Sequence, residues 1–137
     1  MTLTQAKTIR ILVVDDEEAI RSGLHTLLRM SGYVVDVAEN TITALHLLES
    51  HSFDLVITDI IMPGESGLSL IQDIQHFDAS IKIVAISGGG KTKGRGLLAV
   101  AKKLGVNQVL QKPISTTKLL DTVQEVLHEE INQEEGN

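Results

Sequence analysis

Short runs of apolar, mostly β-branched residues alternate along the chain with stretches in which apolar residues recur every three or four positions. The first pattern predicts buried strands, and the second predicts helices that bury one face. Five strands are predicted, at 9–14, 34–38, 55–58, 81–86 and 106–111. A helical pattern follows each strand, and Ser115 is placed to cap the last helix.

This alternation predicts how the strands are arranged. A helix between two strands returns the chain to the same edge of the sheet, so consecutive strands must run parallel. We therefore predict an α/β fold with a doubly wound, five-stranded parallel sheet, in the flavodoxin-like order 2-1-3-4-5, with helices on both faces. The length of 137 residues predicts a single domain over 1–137, with a core over about 8–130 and a polar tail over 131–137.

Polar residues follow four of the predicted strands. Asp15 and Asp16 come after the first strand, Asp59 after the third, Ser87 after the fourth and Lys112 after the fifth. In doubly wound sheets, ligands bind beyond the carboxyl ends of the strands, where the strand order reverses. The first and third strands are neighbours in the predicted order, so their three aspartates should lie close together.

This set of residue types indicates a particular chemistry. Crowded carboxylates repel one another, which raises their pKa values or requires a cation. Hard oxygen ligands favour Mg²⁺, or alternatively Mn²⁺, and magnesium commonly uses only one or two protein carboxylates. One aspartate would then be free to attack phosphorus and form an acyl phosphate. Lys112 and the Ser87 hydroxyl would hold the transferred oxygens.

Four segments now carry a family resemblance: ILVVDDE, LVITDIIMPGESG, VAIS and LQKP. In this order, and over nearly the whole chain, they resemble the motifs of a single-domain response-regulator receiver. The combination is specific, although each segment alone is a weak signal. The resemblance implies a phosphoprotein that takes a phosphoryl group from a phosphohistidine onto Asp59, and not an enzyme with a separate catalytic domain.

The resemblance also implies a role for the other site residues. Asp15 and Asp16 would bind Mg²⁺ together with Asp59 and the backbone carbonyl of Ile61. Ser87 would be the switch hydroxyl, and Lys112 would bind the phosphoryl group. The peptide bond between Lys112 and Pro113 would be cis, which proline permits.

The implied partners are proteins of two-component or phosphorelay signalling. A histidine kinase or histidine phosphotransfer protein would donate the phosphoryl group, and the added charge would switch a surface made by the fourth helix, fifth strand and fifth helix. Only one helix and the polar tail follow the fifth strand, so for a complete chain we expect output through a downstream protein target. A relay intermediate that passes the phosphoryl group to a second histidine fits equally well.

Three positions depart from the family pattern. Many receivers carry Tyr or Phe three residues before the fifth-strand lysine, where this chain has Val109. An aromatic side chain that swings inward therefore cannot be the switch. Ile61 and Gly89, two residues beyond Asp59 and Ser87, have no side chain that can hydrogen-bond an attacking water. We expect them not to assist dephosphorylation.

Composition narrows the class of protein. No cysteine is present, which excludes disulfides and thiolate metal sites. The net charge of −6 disfavours nucleic-acid and membrane partners, and the chain begins without a signal-peptide pattern, so we expect a cytoplasmic protein. One Tyr, two Phe and no Trp leave little aromatic surface for stacking a flavin, and the acids at 15–18 would repel its phosphate.

Other functions stay open as alternatives. An unphosphorylated interaction scaffold on the same fold is the first. A phosphatase with an aspartate nucleophile would want a second acid where Ile61 stands. The glycine-rich segment Gly88–Thr92 faintly resembles a P-loop, but the pattern G-x-x-x-x-G-K-[ST] would place Ala85 at its first glycine, inside a strand. A mobile loop that orders on phosphorylation or on partner docking is our preferred interpretation of 88–96.

Overall fold

The computed structural model describes residues 8–62, 65–88 and 99–135. Its five main strands are β1 (Arg10–Val14), β2 (Val34–Ala38), β3 (Leu55–Asp59), β4 (Lys82–Ser87) and β5 (Gln108–Gln111). The helices are α1 (Glu18–Met30), α2 (Thr41–Ser50), α3 (Gly67–Phe77), α4 (described at 99–103) and α5 (Thr116–Glu135). Two short strands, Ile61–Met62 and Glu65–Ser66, pair antiparallel between β3 and α3.

The sheet has the predicted topology. Its strands are all parallel and lie in the order β2-β1-β3-β4-β5, which confirms the flavodoxin-like order. In the centre of the sheet, Val13 pairs with Val37 on one side and with Ile57 on the other. The reversal of strand order lies between β1 and β3, so the carboxyl ends of these two strands form the crevice in which ligands bind in this class of fold.

Helices cover both faces of the sheet, as predicted. Alternate strand residues point to opposite faces, and two separate apolar clusters result. On one face, Ile11 and Ile57 pack with Leu28 of α1 and Leu119 of α5. On the other face, strand residues such as Leu12 pack with the helical side chains Ala44, Leu48, Leu70, Ile71, Ile74 and Ala101 of α2, α3 and α4. Both faces of the central strands are therefore buried.

The predicted start of the fifth strand was two residues too early. The backbone N–H of Val106 still donates to Ala101 at the end of α4, and Gly105 has a φ of +91°. This left-handed conformation is readily adopted by glycine at the end of a helix. The chain joins the sheet only when Asn107 donates to the carbonyl of Ile83 at 2.8 Å. Residues 106–107 thus end the helix and cross to β4 before β5 begins.

Candidate functional site

Asp15 follows β1 and is held firmly at the edge of the sheet. Its side chain is only 1% exposed. Its backbone N–H donates to Ala38, and its Oδ1 accepts the backbone N–H of Glu17 at 2.9 Å. Arg21 of α1 donates to its carbonyl oxygen at 2.8 Å. The first predicted acid is therefore a buried carboxylate in a fixed orientation.

Asp59 is the last residue of β3 and is also buried. One carboxylate oxygen, Oδ1, accepts the backbone N–H of Ile61 at 2.9 Å. The other, Oδ2, accepts the ammonium of Lys112 at 3.0 Å. The chain beyond Asp59 is secured as well, because the N–H of Ile60 donates to Ile86. A backbone N–H therefore fixes one oxygen of Asp59, and the other oxygen faces the ammonium of Lys112.

Lys112 joins the acidic side chains. Its backbone N–H donates to the carbonyl of Ser87 at 2.9 Å, which ties it to the end of β4, and its peptide bond with Pro113 is cis. Its Nζ lies 3.0 Å from an oxygen of Asp15, 3.0 Å from Asp59 and 2.8 Å from Glu17. One ammonium therefore faces three carboxylates.

Two buried polar atoms at this edge have no hydrogen-bond partner in the described part of the chain. They are Oδ2 of Asp15 and the hydroxyl oxygen of Ser87, which is the last residue of β4. Asp15 Oδ2 is close to the Lys112 ammonium, but the contact lacks the geometry of a hydrogen bond. A buried polar atom without a partner costs about 1–3 kcal/mol. Unpartnered atoms of this kind are characteristic of a site that is completed by a ligand.

Glu17 joins the site although the sequence did not single it out as part of it. Its carboxylate lies close enough to those of Asp15 and Asp59 for the three to share a metal ion, with ligand atoms within 4.8 Å of one another. Its side chain is 58% exposed, whereas those of Asp15 and Asp59 are buried. Glu17 is the N-cap residue of α1 but makes no capping bond through its side chain, so the side chain is free to turn toward Lys112.

Asp16 and Ile61 border the site from its open side. Asp16 is exposed and is not one of the three acids that come within metal-sharing distance. Both residues nevertheless line an open cleft of about 400 Å³, together with Glu17, Asp59, Met62, Gly88 and Lys112. The cleft gives a small anion or a hydrated cation access to the buried carboxylates from solvent.

The close packing of charged side chains shifts the pKa values of Asp15, Glu17 and Lys112. Burial raises the pKa of Asp15, and the negative charge of Asp59 adds to this effect, while the Glu17 N–H and Lys112 oppose it. Hydrogen bonding to Lys112 lowers the pKa of the exposed Glu17. For Lys112, burial acts to lower the pKa, but the hydrogen bonds with Glu17 and Asp59 and the nearby carboxylate of Asp15 outweigh it and hold the pKa above its usual value. The lysine therefore stays charged among the acids.

The residues fit a magnesium ion. Three carboxylates and one ammonium leave a formal charge of about −2, which a divalent cation balances. The ligands are hard oxygens, as Mg²⁺ requires, and Asp15 Oδ2 is a buried carboxylate oxygen in need of a partner. The open cleft leaves room for the waters and phosphate oxygens that magnesium retains.

The proposed output face carries a second cavity. It has a volume of about 460 Å³ and is lined by β5 and the start of α5, including Val109, Pro113 and Lys118. Val109 is half-buried and packs against the apolar cluster of the α2–α4 face. Gly89 and most of the predicted loop 88–96 lie outside the described residues, as do 89–92 of the P-loop alternative.

None of the helices in the described part of the chain combines the length and the apolar composition needed to cross a bilayer.

Comparison with known proteins gives a consistent result. Residues 11–124 match the model of the response regulator receiver domain family. The chemotaxis protein CheY of Halobacterium salinarum is 30% identical over 118 residues, which cover 86% of this chain and 96% of that protein. The CAI-1 autoinducer sensor kinase/phosphatase CqsS of Vibrio cholerae is 37% identical over 117 residues. The matched region is 83% of this chain but only 17% of that protein.

A solved structure is similar over almost its full length. The signal receiver domain of an HD domain-containing protein from Pseudomonas fluorescens superposes with a TM-score of 0.85 at 28% sequence identity. The alignment covers 98% of this chain and 97% of that one.

Proposed function

Because the chain belongs to the response-regulator receiver family, we propose that Asp59 is its phosphoacceptor. The observation that carries this proposal is the position of Asp59 at the end of β3, beside the ammonium of Lys112 and at the same edge as two buried atoms that have no partner among the described residues. One of its oxygens is fixed by the Ile61 N–H, so the other is directed at the cleft. Asp15 makes the equivalent bond to the N–H of Glu17, but of these two buried aspartates it is Asp59 that lines the cleft.

The reaction is a phosphoryl transfer between two residues. Oδ2 of Asp59 attacks the phosphorus of a phosphohistidine, the P–N bond breaks, and the imidazole nitrogen keeps the electron pair and takes up a proton. The product is an acyl phosphate on Asp59. Lys112 donates to one oxygen of the transferred group, and the hydroxyl of Ser87, which has no partner among the described residues, donates to another.

Asp15, Asp16 and Asp59, with the carbonyl of Ile61, would hold a magnesium ion, and Mn²⁺ would suit the same ligands. When bound, the ion neutralises charge on the phosphoryl oxygens as it builds up during transfer. Asp15 would contribute to this ligand set from the buried side of the cleft and Asp16 from its exposed side. The protein residues have separate roles in this proposal. Asp59 attacks the phosphorus, Lys112 neutralises charge on the phosphoryl oxygens, and Ser87 orients the phosphoryl group through a hydrogen bond.

The partners that we propose are a histidine kinase or histidine phosphotransfer protein as donor, and a protein target as acceptor of the signal. Sensor kinases are among the relatives that contain a matching region. The surface formed by α4, β5 and α5 is our candidate for the switch, because Ser87 and Lys112 are joined by a backbone hydrogen bond and adjoin these elements. Without an aromatic residue at Val109, the signal would pass through the Ser87 hydroxyl.

Intact-mass measurement tests the proposal. The protein is incubated with acetyl phosphate, with and without Mg²⁺, as wild type and as Asp59→Asn. We expect a magnesium-dependent gain of one phosphoryl group in the wild type and none in the variant. A wild type that gains nothing would favour the unphosphorylated scaffold, and a variant that gains as much as the wild type would move the acceptor away from Asp59.

A further inference from the structure

The ammonium of Lys112 is crowded by three carboxylates, those of Asp15, Glu17 and Asp59, at 2.8–3.0 Å. Two of its three N–H groups donate to Glu17 and Asp59, and the third lies near Asp15. The transfer proposed above requires Lys112 to donate to a phosphoryl oxygen. The phosphoryl group must therefore compete with these carboxylates for the ammonium.

The three carboxylates differ in how easily they can move away. Asp15 is buried and its other oxygen is held by the Glu17 N–H, and Asp59 is the reacting group itself. Glu17 makes the shortest contact with Lys112, yet its side chain is 58% exposed and the only hydrogen bond described for its carboxylate is the one to this lysine. Glu17 can leave the lysine for water at little cost, whereas the other two cannot.

We infer that Glu17 is a positioning residue that restrains Lys112 in the unphosphorylated state and thereby slows phosphoryl transfer to Asp59. The inference rests on the proposed function. In the resting protein Glu17 fixes the lysine at the mouth of the cleft. During transfer its contact with Lys112 is replaced by one with the phosphoryl group. Removing the Glu17 charge should therefore accelerate phosphorylation, the opposite of what the loss of a useful metal ligand would do.

Glu18 provides a matched control. It is also an exposed acid, it is the next residue in the chain, and no contact with Lys112 is described for it. Glu18→Gln removes the same formal charge as Glu17→Gln at the neighbouring position, the first residue of α1. General repulsion between the protein and an anionic phosphodonor would be relieved by both variants, and at about 0.15 M salt it is largely screened.

The experiment measures phosphorylation rates with acetyl phosphate, whose P–O bond breaks as acetate leaves with the electron pair. Rates are followed by intact mass over a series of Mg²⁺ concentrations and compared at saturating Mg²⁺. Exposed ion pairs make small contributions, so we expect Glu17→Gln to speed the reaction modestly, by about two- to fivefold. Glu17→Ala should do the same, and Glu18→Gln should stay near the wild-type rate.

A second comparison isolates the route through the lysine. In a Lys112→Met background, Glu17→Gln should give no acceleration, because no ammonium is left to release. Equal acceleration with and without Lys112, or by Glu18→Gln as well, would overturn the inference in favour of general electrostatics.

Two further outcomes would also overturn it. A slower Glu17→Gln protein that needs more Mg²⁺ would make Glu17 a metal ligand. A Glu17→Gln rate equal to wild type would contradict the restraint while leaving the proposed function intact. If wild type itself gains no phosphoryl group, the proposed function fails, and the inference fails with it.

Discussion

Polar groups are paired differently at the two ends of the parallel strands, which we call the amino edge and the carboxyl edge of the sheet. At the amino edge, where the strands begin, the polar groups bond to other groups of the protein. The N–H of Arg10 donates to Asp54 at 2.9 Å, its guanidinium donates to Asp36 at 3.0 Å, and the N–H of Ile83 donates to the side chain of Asn107 at 2.9 Å. These bonds close the starts of the strands against one another.

At the carboxyl edge, buried polar groups are crowded and incompletely paired. Within the part of the chain that the structure describes, Asp15 and Ser87 each keep an atom without a hydrogen-bond partner, and the ammonium of Lys112 faces three carboxylates. The difference teaches that the polar groups of one edge stabilise the fold, whereas in our proposal those of the other are placed for a ligand. Substitutions at the two edges should therefore separate stability from activity.

The largest expected effect is the loss of phosphorylation at the carboxyl edge. Asp15→Asn removes the charge of the buried acid that we assign to the metal. Even indirect partners of metal ligands commonly cost about 10- to 100-fold when mutated, so we expect at least a loss of this size. The rate of phosphorylation by acetyl phosphate at a fixed Mg²⁺ concentration measures it. A variant within twofold of wild type would remove Asp15 from the metal site.

The amino edge should give the reverse result. Asn107→Ala leaves the backbone N–H of Ile83 without its partner, and such a loss costs about 1–3 kcal/mol of unfolding free energy. Urea denaturation measures the loss. The phosphorylation rate of the folded variant should stay at the wild-type value, because no atom of the cleft has changed. A matching drop in rate would break the distinction between the two edges.

Asp15→Asn should also make the unphosphorylated protein more stable, by about 0.5–2 kcal/mol at pH 7. Burial raises the pKa of this acid, so its charged form is disfavoured in the folded state. Folded wild type then binds a proton more tightly than unfolded wild type, and its stability rises as the pH falls through the raised pKa. The advantage of the variant should therefore shrink from pH 7 toward pH 4. An advantage that grows on acidification would contradict the direction of the shift.

The smallest effect is expected for the surface pair of the amino edge. Arg10 and Asp36 are each about one-third exposed, so their ion pair is worth about 0–1 kcal/mol and should weaken in salt. Asp36→Asn should change the unfolding free energy by no more than this. Comparison of urea denaturation at low and high ionic strength checks it, and a loss comparable to that of Asn107→Ala would mean that partial burial strengthens the pair.

The gathering of site residues at the carboxyl ends of the strands is largely predictable from the sequence. Apolar periodicity indicates which segments are strands, and parallel strands bring their ends to common edges. Asp59, Ser87 and Lys112 could therefore be assigned to one edge without coordinates. The cis bond before Pro113 was implied by the family resemblance and is present in the structure.

Other features depend on the path of turns and on flexible side chains, which periodicity does not encode. Glu17 reaches Lys112 only because the turn after β1 folds its backbone N–H onto Asp15. A useful signal was available in its position, two residues beyond a buried acid and just before a helix. The partners at the amino edge, such as Arg10 with Asp54, are separated by 44 residues, so no local pattern predicts them.

The most direct test of the central claim is to locate the acyl phosphate chemically. The protein is phosphorylated with acetyl phosphate and Mg²⁺, reduced with borohydride, digested and analysed by peptide mass spectrometry. Reduction converts an aspartyl phosphate to homoserine and leaves free aspartates unchanged. We predict homoserine at position 59 alone, and none without Mg²⁺. Reduction at Asp15, Asp16 or Glu17, or at no residue despite a gain in mass, would contradict the assignment of Asp59 as the phosphoacceptor.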